Sequence, residues 1–117
     1  MAELIKNIEK NQVFRTIDAV SIEPGRVNSL TLSQTPGCKM TLLAIDEGEG
    51  MSSHSAPGDA FITVLEGTGE ITVEGKPFVL QAGDSLVMPA GAEHAVRGVT
   101  AFKMLLVVVK EALPPMA

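Results

Sequence analysis

Tryptophan and tyrosine are missing from this 117-residue chain, and four phenylalanines are its only aromatic carbocycles. Bases and sugars therefore find no row of rings to stack on. Basic residues are also scarce: nine Lys and Arg against fourteen Asp and Glu leave a net charge of −5. That is the wrong sign for a phosphate backbone, and nucleic-acid binding is set aside. The single cysteine, Cys38, excludes an internal disulfide and suits a reducing compartment. Long apolar runs are absent too. The longest, MLLVVV from Met104 to Val109, falls far short of the roughly 20 residues a membrane-spanning helix needs. The opening MAELIKNIEKNQ mixes both charges and holds no apolar stretch of signal-peptide length. A cytoplasmic protein is expected.

What is present is a pattern of short strands. A hydrophobic share of 45% supports one packed core, and the length suits one domain over residues 1–117. In GEITVEGKPFVLQAGD, Glu70, Thr72 and Glu74 alternate with Ile71 and Val73, the period of two that leaves one strand face wet. The EGK turn sends the chain back through Phe78, Val79 and Leu80, so residues 69–81 read as a hairpin. Residues 39–46, 60–66, 84–89 and 101–109 are further strands, punctuated by TPG, EGEG, APGD, AGD and PAG. Residues 2–11 hint at a helix with Leu4, Ile5 and Ile8 on one face, and LPPMA closes the chain as a tail. The expectation is an all-β sandwich or barrel, its core about residues 27–110, preceded by a short helical or irregular segment.

Two stretches carry chemistry. SSHSAPGDAFITVLEG (52–67) and GDSLVMPAGAEH (83–94) together resemble the two motifs of the cupin family of small β-barrels. The second is nearly complete, with Gly83, Pro89, Gly91 and His94 at the family spacing and Gly98 where an asparagine often follows. The first is eroded. Its first histidine is His54, but its second histidine and its glutamate fall on Ala56 and Ala60. The resemblance covers about residues 40–109 and implies a jelly-roll, or double-stranded β-helix. It also implies a divalent transition metal (Fe, Mn, Zn, Ni or Cu) held where His54 and His94 stand. Alanine has no donor atom, and catalytic sites normally use three protein ligands. Asp59 joins the set only if a bulge turns it inward. Glu93 faces away from the cavity by strand parity, and Cys38 reads as a small buried filler.

With two ligand positions reduced to methyl groups, the cavity becomes roomier and more apolar. Strand parity assigns its lining to Met40, Leu42, Ile62, Val64, Met88, Phe102 and Met104, with His54 and His94 as polar handles. This favours a binder of a small, partly apolar molecule, with no catalytic residue assigned. A dioxygenase- or isomerase-like metalloenzyme with a two-histidine site is the second reading, and a structural or regulatory module working through its surface the third. Other chemistry lacks its parts. GTGE precedes no helix and has no lysine, the serines around His54 form no nucleophile elbow, and Arg15, Arg26 and Arg97 are scattered. Nucleotide-sugar isomerases of this family use a tyrosine the chain does not have. Pairing into a homodimer through a sheet, as the family commonly does, is expected from the apolar residues on both faces of 101–109.

Overall fold

The computed structural model describes residues 3–112; the LPPMA tail and the first residue of the supposed helix lie outside them. Among the described residues the chain forms β1 (Val27–Thr35), β2 (Cys38–Ile45), β3 (Gly50–His54), β4 (Asp59–Glu66), β5 (Thr68–Val73), β6 (Lys76–Gln81), β7 (Ser85–Met88), β8 (His94–Gly98) and β9 (Phe102–Val109). One antiparallel sheet has the order β1-β2-β9-β4-β7, and a second has β3-β8-β5-β6. They face each other as a jelly roll. Among the described residues no helix is long and apolar enough to cross a membrane.

Local chemistry explains the frame. The β5–β6 turn takes positive φ at both central residues, Glu74 (49°) and Gly75 (80°), the type I′ pattern whose twist matches that of its strands. Ile45, Ile62, Val64, Ile71, Met88, Phe102 and Met104 are almost wholly buried between the sheets, each contributing about 1.5–3 kcal/mol. Gly69 is needed beside them, because a Cβ there would run into the Phe102 ring.

The helix expected over residues 2–11 does not form. Residues 3–12 are irregular, with Asn7 and Asn11 at φ of 67° and 63°. One apolar face on so short a segment cannot offset the cost of helix nucleation, whereas the β1 edge offers ready partners. Lys6 N–H donates to the Leu32 carbonyl at 2.7 Å, the Asn7 side-chain amide to the Thr31 carbonyl at 2.7 Å and the Ser33 hydroxyl to the Leu4 carbonyl at 2.5 Å. The segment continues through a short 3₁₀ turn at Thr16–Asp18 and lies as a strap on the outer face of the first sheet. There Val20 forms a second small core with Leu32, Leu42 and Ala44.

Candidate functional site

The site is a cavity of about 460 Å³ between the sheets, and sheet register builds it in layers. On the first sheet, Gln34, Lys39, Val108 and Ala60 stand directly opposite one another across β1, β2, β9 and β4. Thr31, Thr41, Leu106 and Ile62 form the next row, and Ser29, Leu43, Met104 and Val64 the one below. The cavity reaches Ala60 on β4 in the first row, Leu106 on β9 in the second and Leu43 on β2 in the third. Its floor therefore slopes, with the buried Ile62 and Met104 filling the far side. Opposite stand Met51 and His54 from β3 and His94 from β8.

The two histidines meet. His54 and His94 are register partners, with ring centroids 4.3 Å apart and planes at 63°. His94 is buried and His54 exposed. His54 Nδ1 lies 2.8 Å from the Ser52 carbonyl and His94 Nδ1 lies 3.2 Å from the Ala92 carbonyl. A carbonyl only accepts, so each neutral ring carries its hydrogen on Nδ1 and offers Nε2 as a lone pair. Among the described residues neither imidazole hydrogen-bonds a hydroxyl, thiol or carboxylate, so no nucleophile–base pair is assembled.

Turn chemistry delivers this pair. Gly91, at φ 78°, closes the turn before β8, and its N–H donates to the Ala56 carbonyl at 2.9 Å. Asp59 Oδ1 accepts the Ala90 N–H at 2.9 Å. The loop carrying Ala56 is thus tied to the turn carrying His94. Asp59 is spent on this tie and lines a neighbouring groove with Pro57, Ala90 and Glu111, not the cavity. The bulge that would bring it inward is absent: it pairs in regular register with Val109. Glu93 faces out, as parity requires, and accepts a 2.6 Å hydrogen bond from the Ser53 hydroxyl.

The other expected lining is placed elsewhere. Met40 and Leu42 face the strap, and Ile62, Val64, Met88, Phe102 and Met104 pack in the core below or beside the cavity. Parity on β2 runs opposite to expectation, because the strap makes the outer face as apolar as the inner. Met51 enters the cavity because a bulge between Met51 and His54 breaks the alternation counted back from His54. Cys38 is only half buried and sits at the cavity edge. The wall that sequence reasoning missed is Ser29, Thr31, Gln34, Lys39 and Thr41. Its signal was the alternate polar residues on both arms of the TLSQT–PG–CKMT hairpin, since inward polar groups on two paired strands mark a wet wall.

The donor set does not fit a three-ligand metal site. His54 and His94 present two lone pairs, Ala56 and Ala60 present none, and among the described residues no carboxylate lines the cavity. Among the described residues no three of His, Cys, Asp and Glu stand together as a metal site would require.

Fold, motif spacing and a histidine pair inside the barrel define the class, and the Cupin domain family model matches residues 41–110. The chain belongs to the cupin family. A conserved protein of unknown function from Streptococcus pyogenes is 40% identical with a TM-score of 0.92, covering 96% of this chain and 98% of that one. A 5-nitrosalicylic acid 1,2-dioxygenase from Bradyrhizobium is 30% identical over 83% of this chain and 47% of its own length. The polyketide synthase CurC of Streptomyces cyaneus is 32% identical over 73% of this chain and 61% of its length. The chain thus spans about half of the dioxygenase and under two-thirds of CurC.

Proposed function

We propose that this cupin binds a small, partly apolar organic molecule in its cavity, with the His54–His94 pair as polar handles. The observation that carries this reading is the cavity itself. It has the size of a small-molecule pocket, an apolar side at Leu43, Leu106, Val108 and Ala60, and a polar wall at Thr31, Gln34, Lys39 and Thr41 with the two histidines. A ligand that binds the folded state raises its melting temperature. A fragment set screened by thermal shift should therefore give stabilising hits that are lost in His94→Ala. A set in which no fragment stabilises the protein would overturn the reading.

The metalloenzyme reading has one observation in its favour, the two free Nε2 atoms, and dioxygenases are among the distant relatives. Elemental analysis of protein purified without chelator or affinity tag separates the two. Metal near one equivalent, abolished by His54→Ala and by His94→Ala, would replace binding alone with metal-dependent chemistry. We also propose that the chain works as a homodimer, joined through the part of the first sheet that the strap leaves bare.

A further inference from the structure

We propose that the cavity selects small organic anions, a carboxylate held at the Lys39 end and an apolar body laid along Leu106, Val108 and Ala60. This deepens the small-molecule reading and rests on it. The polarity of the cavity divides by strand. In the first two rows the residues from β1 and β2 are the polar ones near the mouth (Gln34 and Lys39, then Thr31 and Thr41), and the residues from β9 and β4 are aliphatic; in the third, Leu43 of β2 closes the apolar end. A ligand filling this space has one polar end and one apolar flank.

The sign of the polar end follows from charge. The chain carries fourteen acidic and nine basic residues, yet among the described residues no Asp or Glu lines the cavity, while Lys39 and Lys110 do. Among the described residues neither lysine has a carboxylate within ion-pair distance; the ion pairs found involve Arg15, Arg26, Arg97 and Lys103. Lys110 also borders the neighbouring groove beside Asp59 and Glu111, so Lys39 is the cation that belongs to the cavity. Its position in the ladder is fixed by Gln34 on one side and Val108 on the other. Thr41, one row deeper, is 8% exposed and lines the same space. A cationic ligand would meet Lys39 with no counter-charge. A phosphate dianion would find neither an arginine fork nor a helix N-terminus in the lining. A carboxylate needs only the lysine and neutral donors beside it. The volume, toward the lower end of the roughly 300–1,000 Å³ of ligand pockets, suits a single ring or a short chain.

The test uses three matched probes, benzoate, benzamide and benzylamine, titrated against the full chain. Binding is read from the imidazole carbon–proton NMR signals, of which His54 and His94 supply the only two sets. Benzoate should shift both and bind on the order of tenfold more tightly than benzamide. Added salt should weaken benzoate alone. Lys39→Gln, on an exposed residue, should bring benzoate down to the affinity of benzamide and leave benzamide unchanged. Benzamide or benzylamine binding as tightly as benzoate in the unaltered protein would overturn anion selectivity and leave small-molecule binding standing. Unshifted imidazoles with all three probes would count against both.

Discussion

At the scale of single residues, this site is defined by two methyl groups and a displaced carboxylate. Ala56 and Ala60 face the cavity at positions where the family resemblance places a histidine and a glutamate, and the one acid nearby, Asp59, ties down a turn. Asp59→Ala should cost about 1 kcal/mol of stability, the worth of one hydrogen bond at an exposed site, and leave metal content unaltered. A fall in metal content in that variant would restore Asp59 as a ligand. The reverse experiment is Ala60→Glu. Placing a carboxylate beside Val108 in a nearly closed position should lower the melting temperature in the absence of metal, because a buried charge without a partner is costly. Zn²⁺ or Mn²⁺ should then restore it by supplying a three-ligand site. The unaltered protein should show no such response, and an equal response there would mean that two imidazoles suffice.

At the scale of elements, β2 is where sequence and structure part. Its residues Leu42, Leu43, Ala44 and Ile45 are all buried, so alternation of hydrophobicity cannot say which face looks inward. The strap decides it, by covering Leu42 and Ala44 from outside with Val20. Leu42→Ala should therefore cost about 2–5 kcal/mol, as for a filled core position, without changing ligand binding. Leu43→Ala, which enlarges the cavity, should change binding. Urea melts and one titration on each variant test this, and altered binding in Leu42→Ala would contradict the register.

The same strands show how much was legible. The β5–β6 hairpin announced itself through a clean period of two, and β4, β7 and β9 through apolar runs between glycines and prolines. Both histidines were legible because the motif spacings fix them against turns at Gly67 and Gly91. The strand β1 was hidden by its polar residues, Ser29, Thr31 and Gln34, which face a cavity and not a dry core. Met51 was hidden by a bulge, and the helix at the start was an amphipathic pattern satisfied by a sheet edge instead.

At the scale of the whole molecule, the outer face of the first sheet is half covered. The strap protects the part around Leu32, Leu42 and Met40, and beyond it Val107, Phe61 and Val87 continue the Met40 register row across β9, β4 and β7. Phe61 is 43% exposed, Val87 57% and, one row away, Val109 54%. A row of directly opposed apolar side chains has no charge to resist a second copy, and a two-fold axis through it would set each row against its twin. A stable pair needs about 800 Å² buried on each partner, so residues around this row must also be covered. The chain should then run at twice its 12.3 kDa mass, with a melting temperature that rises with concentration. Phe61→Lys sets a charge at the centre of the contact. It should give a folded monomer with its cavity intact, because Phe61 points away from the cavity and gives the core little. Sedimentation across a wide concentration range decides the matter: a parent chain sedimenting throughout at 12.3 kDa would remove the dimer, and a dimeric Phe61→Lys would move the interface to another face.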